Sequence, residues 1–188
     1  MILNYKQAYS YICEIINNQS GTYVIAIDGR SASGKTTFAD SLNRQVIHTD
    51  DFYRPRNESG RLAISEFDGN FDISRFKREI VEGIKSNLPF CYGVFNCAEG
   101  LITERRRIEL PNCIIVEGAY SLNPNLYDYA DLKVFFDIDK ETQKERIIKR
   151  NGVCGYERFK QIWIPAEERY FKHYGIKEKC DIIITAEV

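Results

Sequence analysis

The chain contains a nine-residue segment with the composition and spacing of a phosphate-binding loop. It reads Gly29-Arg30-Ser31-Ala32-Ser33-Gly34-Lys35-Thr36-Thr37. The two glycines permit positive φ and a close backbone approach, so the amides between them can turn inward around an anion. Lys35 is expected to reach the β- and γ-phosphates of ATP, and the Thr36 hydroxyl to ligate Mg²⁺. The alternative is a tight turn that binds nothing, but such a turn does not need Lys35 or Thr36.

A second group of candidate residues follows a short strand predicted at 45–48. There the chain reads His48-Thr49-Asp50-Asp51-Phe52-Tyr53. Ligands of open α/β sheets bind beyond the carboxyl ends of the strands, so Asp50 and Asp51 are expected near the nucleotide phosphates. A carboxylate at this place can accept a proton from an attacking hydroxyl or hold Mg²⁺ through water. A surface turn with two solvated aspartates is the competing interpretation.

Two further features can complete a site for phosphoryl transfer. Glu117 ends the apolar strand 113–116, which is the Walker-B position, where a carboxylate orients Mg²⁺ or its water; a strand-terminal charge that meets solvent is the alternative. The predicted helix 140–150 carries the basic residues Lys144, Arg146, Lys149 and Arg150. Guanidinium groups on a closing lid match the charge of the transferring phosphoryl group, whereas the same charges also suit a solvated helix.

Apolar strands alternate with helical segments along the chain, which predicts an α/β fold with a parallel sheet covered on both faces. Strands are predicted at 23–28, 45–48, 113–117, 132–137 and 181–185. Helices are predicted at 5–16, 36–42, 73–86, 140–150 and 156–173, the last interrupted by Pro165. Residues 53–72 are predicted to form a loop, and 91–111 have no legible pattern. We expect one domain over 1–188, with a lid at about 140–160.

Composition excludes several classes of protein. The chain has 188 residues and a net charge of −1, so it has no general basic field for nucleic acid or an acidic membrane surface. Its apolar runs are shorter than a membrane span, and its first residues do not form a signal peptide. The six cysteines lack zinc spacing and are expected to be buried free thiols in a reducing cytoplasm. A homo-oligomer is compatible with this sequence, which does not set the oligomeric state.

Together, these motifs resemble the uridine kinase and phosphoribulokinase family of P-loop kinases. The segment 27–37 looks like the nucleotide loop of that family, Thr49 to Tyr53 its second motif, and 115–118 its third-strand motif. Asn70-Phe71-Asp72 is similar to the Asn-Phe-Asp of uridine kinases. The resemblance implies a P-loop NTPase fold with three α/β/α layers, a five-stranded parallel sheet and a helical lid.

The resemblance also implies a role for individual residues. Asp50 corresponds to the catalytic base, Asp72 to the aspartate that holds the nucleoside ribose, and Arg146 with Arg150 to the arginines of the lid. Among the loop aromatics, Tyr53 and Tyr92 are candidates for contact with the acceptor. Two departures stand out: the family's Tyr-Asp-Phe is present only as Tyr92-Gly93-Val94-Phe95, and Gln143 replaces an arginine that is frequent in uridine kinase lids.

The sequence therefore predicts a kinase that uses ATP and Mg²⁺ to phosphorylate a small alcohol, with the 5′-hydroxyl of uridine or cytidine as first choice. Lys35, Asp50, Arg146 and Arg150 are the predicted catalytic residues, and Thr36, Asp50 and Glu117 the predicted metal ligands. Other acceptors remain open, such as a sugar phosphate, a vitamin-like alcohol or a nucleotide. A nucleotide-dependent regulatory switch is the alternative from another class, although no Asn-Lys-x-Asp guanine motif occurs in the chain.

Overall fold

Buried strands and amphipathic helices alternate along the chain in the computed structural model, which describes residues 1–55 and 64–185. The helices are α1 (Tyr5–Asn17), α2 (Lys35–Ser41), α3 (Ile73–Phe76), α4 (Glu82–Lys85), α5 (Lys140–Arg158) and α6 (Ile164–Tyr174). The strands are β1 (Ile2–Leu3), β2 (Tyr23–Gly29), β3 (Gln45–His48), β4 (Phe90–Asn96), β5 (Leu101–Ile108), β6 (Cys113–Glu117), β7 (Leu132–Asp137) and β8 (Ile182–Thr185). Within the described ranges, no helix combines the length and the apolar character needed to cross a membrane.

The main sheet has six parallel strands in the order β1-β8-β7-β2-β6-β3. The five predicted strands are all present, and the short edge strand β1 makes the sheet one strand wider than expected. Strand β2 lies between β6 and β7. The chain passes from β2 to β3 on one side of it, and later crosses from β6 to β7 and β8 on the other side. The carboxyl end of β2 is therefore the switch point where open α/β sheets bind ligands, and the phosphate-binding loop begins there.

Helices cover both faces of the sheet, as a parallel sheet requires. On one face, Ile12 of α1 and Phe38 of α2 pack against Ile25 and Ile27 of β2 in one apolar cluster. On the other face, side chains of α3 and α6 pack in a second cluster with Val24 of β2. Residues of β2 therefore pack against helices on both faces of the sheet, which gives three layers. The predicted α/β/α fold is confirmed.

The segment without a legible pattern forms an antiparallel hairpin of β4 and β5, separate from the main sheet. Strand β5 is mostly exposed and charged, which removes the alternation of apolar and polar residues that identifies a half-buried strand. Cys91 and Cys97 on this hairpin are exposed, as is Cys154. The expectation of buried thiols is therefore right only for Cys113, with Cys13 and Cys180 partly covered.

The helical region 140–174 is broken at Gly152, between the two helices predicted at 140–150 and 156–173. Gly152 has φ 73° and ψ 173°, which are not helical values, so the segment α5 (Lys140–Arg158) consists of two helices that meet at a kink. A π-helical turn, Phe159–Trp163, then connects α5 to α6. Pro165 was expected to interrupt a helix and does not. It lies in the first turn of α6, where a missing backbone donor costs little.

The helix predicted at 73–86 is confirmed by α3 and α4, which are joined by the π-helical turn Lys77–Val81. Before it, the described part of the predicted loop contains turns and isolated bridges, such as Tyr53 to Phe71. Residues 56–63 of that predicted loop lie outside the described residues.

Candidate active site

The loop between β2 and α2 has the backbone geometry that its glycines predict. Gly29 has φ 137° and Gly34 has φ 105°, values that L side chains rarely adopt. A Cβ on Gly29 would lie only 2.2 Å from the carbonyl oxygen of Phe136 on the neighbouring strand. Ala32 also has a positive φ, 61°, so part of the loop is strained without a glycine. The loop is therefore held in one shape by the strand beside it.

Lys35 is buried at the base of this loop. Its Nζ donates hydrogen bonds of 2.9 Å to the carbonyl oxygens of Gly29 and Arg30. These bonds hold the ammonium group against the loop, within a cavity of about 840 Å³ that Lys35 itself helps to line. Charge-assisted hydrogen bonds to phosphate are stronger than bonds to neutral carbonyls, so this arrangement can exchange its acceptors for a phosphate.

A three-residue cluster lies beside the loop, at the carboxyl ends of β3 and β6. The Thr36 hydroxyl donates to Glu117 Oε1 at 3.1 Å, and His48 Nδ1 lies 2.6 Å from the same oxygen. The hydrogen bond with Glu117 raises the pKa of His48 and favours an imidazolium that partly neutralises the carboxylate. The hydroxyl and carboxylate oxygens of Thr36 and Glu117 are ligands that suit Mg²⁺.

His48 was not among the predicted site residues. It is the register partner of Glu117 in the pairing of β3 with β6. Once these strands are known to be neighbours, the two side chains are expected on adjacent positions of the sheet edge. The sequence gives no signal for that pairing, because the two strands are separated by residues that form a helix and a hairpin.

The adjacent aspartates Asp50 and Asp51 have opposite environments. Asp50 is exposed, borders the cavity and accepts a hydrogen bond of 2.6 Å from the Tyr53 hydroxyl. Asp51 is buried, with the Tyr92 hydroxyl 3.2 Å and an Arg106 nitrogen 3.5 Å from its Oδ2. Burial raises the pKa of Asp51. Of the two carboxylates, only Asp50 is accessible to a bound molecule.

The other predicted acceptor residues differ in whether they border the cavity. Tyr53 is half-buried and borders the cavity. Tyr92 is fully buried, supports Asp51 through its hydroxyl and does not border the cavity. Asp72 accepts a hydrogen bond of 3.0 Å from the Arg75 amide and caps α3, and it too lies outside the cavity lining. In this conformation Tyr92 and Asp72 are supporting residues.

The two predicted lid arginines both border the cavity. Arg146 donates to the carbonyl oxygens of Ala32 and Ser33 at 3.4 and 3.2 Å. Arg150 donates to the Asn151 side chain at 2.8 Å, with its guanidinium 5.6 Å from the centre of the Phe159 ring. Arg146 thus connects α5 to the phosphate-binding loop, while Arg150 is held within the lid.

Helix α6 contributes two carboxylates to the loop that the sequence did not identify. Glu167 accepts hydrogen bonds from the amide of Ser31, at 3.1 Å, and from its hydroxyl. Glu168 pairs with Arg30 at 2.6 Å, and Arg30 also pairs with Asp137. Burial raises the pKa of Glu167. Helix α6 is therefore attached to the loop by ionised and hydrogen-bonded side chains, and Arg30 is turned away from the cavity.

A buried carboxyl, Asp28, supports the first residue of the loop. It accepts hydrogen bonds from the Gly29 amide at 2.7 Å, the Leu122 amide at 3.1 Å and the Tyr170 hydroxyl at 2.7 Å. Burial raises its pKa to about 6, against an ordinary value of 3.8, although these hydrogen bonds lower it. Asp28 therefore links the loop to α6 and to the segment after β6.

The fold and the site define a P-loop kinase architecture: a parallel sheet with the phosphate-binding loop at its switch point, a carboxylate at the end of the neighbouring strand and a basic helix over the cavity. Solved structures agree. A possible uridine kinase from Bacillus stearothermophilus has a TM-score of 0.72 and 18% identity, over 95% of this chain and 98% of that one. At this identity the likeness shows the fold.

Curated proteins with similar sequences are kinases of small molecules. Uridine-cytidine kinase B of Dictyostelium discoideum is 26% identical over 86% of this chain and 74% of its own length. Pantothenate kinase of Haemophilus influenzae is also 26% identical, over 90% of this chain and 61% of its own length. One uridine kinase-like relative is covered over only 31% of its length.

No family model matches the chain. The resemblance to uridine kinases, seen first in the motifs, is nevertheless confirmed by these relatives. The matches include both uridine-cytidine and pantothenate kinases, so they support a P-loop kinase and leave its acceptor undecided.

Proposed function

We propose that the protein transfers the γ-phosphoryl group of ATP to the 5′-hydroxyl of uridine or cytidine, with Mg²⁺ as cofactor. The observation that carries this proposal is that Lys35, Asp50 and Arg146 line the same cavity. A phosphate-binding loop by itself suits many nucleotide hydrolases. An exposed carboxylate in the same cavity as the loop is what a hydroxyl acceptor requires, because that hydroxyl must lose its proton as it attacks.

Each residue has a defined part in this reaction. Lys35 and the loop amides would hold the phosphates, and Thr36 and Glu117 would hold Mg²⁺, which would neutralise phosphate charge. Asp50 accepts the proton of the acceptor hydroxyl, and the Tyr53 hydroxyl orients Asp50. Arg146 and Arg150 both line the cavity, and their proposed role is to stabilise the negative charge of the transferring group. Asp72 and Tyr92 are proposed acceptor contacts that require a rearrangement from the supporting positions described above.

Another small alcohol is the second candidate for the acceptor. It is favoured by the pantothenate kinases among the relatives, one of which matches 90% of this chain. The mechanism is the same for such an acceptor, because Asp50 and the loop act on the hydroxyl and the phosphates alone. Only the part of the cavity beyond Asp50 would be used differently.

The test is turnover with Mg²⁺-ATP against uridine, cytidine, pantothenate and a panel of sugar phosphates, with mass detection of the products. A Lys35→Ala variant is the control for contaminating kinases. A product that is one phosphoryl group heavier than uridine or cytidine supports the proposal. Phosphorylation of another acceptor retains the mechanism and replaces the substrate. ATP binding without any phosphorylated acceptor contradicts the proposal and favours a regulatory switch.

A further inference from the structure

Ser31, the third residue of the phosphate-binding loop, is held at each of its polar atoms by the two helices beside the loop. Its amide donates to Glu167 at 3.1 Å, and its hydroxyl donates to the other oxygen of the same carboxylate. Its carbonyl oxygen accepts a hydrogen bond of 3.1 Å from Gln143 Nε2. Gln143 lies on α5 and Glu167 on α6, and both side chains are buried. Ser31 is therefore fixed by side chains that come from outside the loop.

The hydrogen bond from Gln143 sets the direction of the next amide. A trans peptide unit is planar, so the carbonyl of Ser31 and the N–H of Ala32 point in opposite directions. Because the carbonyl is directed at Gln143, the Ala32 N–H points away from α5. Ala32 lines the cavity, and within residues 1–55 and 64–185 its amide forms no hydrogen bond. This N–H is therefore available to a ligand in the cavity.

The amides on either side of Ala32 are already in use. The Ser31 amide donates to Glu167, and the Ser33 amide donates to the carbonyl oxygen of Arg30 at 3.2 Å. Of these three consecutive amides, the one of Ala32 is left for an anion. The orientation of the peptide between Ser31 and Ala32 thus decides how many N–H groups this part of the loop offers to a phosphate.

The same peptide is under strain. Ala32 has φ 61°, a conformation that is unfavourable for an L residue. A flip of the peptide between Ser31 and Ala32 changes the φ of Ala32 by about 180° and returns it to an ordinary negative value. The flip also turns the Ala32 N–H away from the cavity and breaks the hydrogen bond from Gln143. The strain in Ala32 favours the flipped peptide, and Gln143 opposes the flip.

We infer that Gln143 is a positioning residue, which holds the peptide between Ser31 and Ala32 in the orientation that binds phosphate. The inference rests on the proposed use of ATP and concerns phosphate binding, which is the same for every acceptor. Gln143 does not border the cavity, so it acts through the loop and not on the nucleotide. This role needs a hydrogen-bond donor and no charge, which suits a glutamine at the place where uridine kinase lids frequently have an arginine.

Calorimetric titration of the full chain with Mg²⁺ and a non-hydrolysable ATP analogue tests the inference without any acceptor. Gln143→Met removes the donor and keeps the length of the side chain, so the peptide is free to flip. Only the unflipped fraction then binds well, and the Kd should rise about three- to tenfold, the value of one neutral hydrogen bond. Gln161→Met, at an exposed position of the lid region, is the matched control and should leave the Kd unchanged.

A double-mutant cycle with Ala32→Gly separates positioning from general support of the fold. Glycine adopts positive φ without strain, so the energy that favours the flip is removed. In the Ala32→Gly background, Gln143→Met should therefore raise the Kd by less than about twofold. A merely structural glutamine would cost the same affinity in both backgrounds. If the melting temperature of Gln143→Met falls, Gln143→Asn, whose shorter amide does not reach Ser31, replaces it in the cycle.

The inference and the proposed function fail in different ways. If Gln143→Met binds the analogue with the wild-type Kd, or loses equal affinity in both backgrounds, the positioning role is overturned and the kinase function remains. If the expected losses are found and no acceptor of the panel is phosphorylated, the positioning role remains and the kinase function is overturned. If the wild type does not bind the analogue, both are overturned.

Discussion

Replacement of Asp50 by asparagine removes a proton acceptor and leaves the shape of the side chain. The Asn amide oxygen can still accept the hydrogen bond from Tyr53, and the position is exposed, so the free energy of unfolding should change by less than about 0.5 kcal/mol. Loss of a positioned general base lowers kcat about 10²- to 10⁴-fold, or roughly 3 to 5 kcal/mol in activation free energy. ATP affinity should be unchanged, because among the described residues Asp50 forms no side-chain hydrogen bond with the phosphate-binding loop.

The assay is kcat and KM for the acceptor identified by the panel, together with thermal denaturation of each variant. Asp51→Asn is the matched control, because it makes the same chemical change one residue along the chain in a buried position. It should leave kcat within about tenfold of the wild type, since Asp51 contacts Tyr92 and Arg106 and has little exposed surface. A kcat for Asp50→Asn within threefold of the wild type, or a larger loss for Asp51→Asn, would refute the assignment of the base.

Three other perturbations follow from the geometry around the loop. Gly29→Ala places a Cβ 2.2 Å from the Phe136 carbonyl oxygen at φ 137°, so it should abolish ATP binding or folding, and normal calorimetric binding would contradict this. Because burial raises the pKa of Asp28 to about 6, the folded state retains this proton between about pH 4 and 6 while the unfolded state releases it. The free energy of unfolding should therefore fall by up to about 3 kcal/mol as the pH rises from about 4 to 6. In urea titrations, Asp28→Asn should lose this dependence on pH. An equal dependence in both proteins would exclude Asp28 as its source. Arg146→Ala removes the contacts with the loop carbonyls and should lower kcat about 10²-fold with little change in melting temperature, whereas unchanged kcat would assign Arg146 to the solvated face of α5.

The local pattern of the sequence was sufficient for the main elements of the fold. Five strands of the sheet, the helix at 73–86 and the phosphate-binding loop were predicted from runs of apolar residues, helical spacing and the two loop glycines. Each of these signals lies within a short segment, because the spacing of apolar residues in a buried strand or an amphipathic helix reflects the burial of that same segment. The hairpin was not predicted, since β5 is exposed and charged and lacks a pattern of buried apolar residues.

Some residues of the site could be predicted from the sequence, and others could be identified only in the tertiary structure. The sequence by itself determined which residues are suited to phosphoryl transfer, namely Lys35, Asp50, Glu117 and Arg146, and their roles stay predictions until they are measured. Only the tertiary structure decided that His48 pairs with Glu117, that two glutamates of α6 hold the loop, and that Gln143 donates to the Ser31 carbonyl oxygen. These partners are far apart in the chain, and a contact between distant residues leaves no periodic pattern in either segment. It exists only after the sheet and the lid have brought the two segments together.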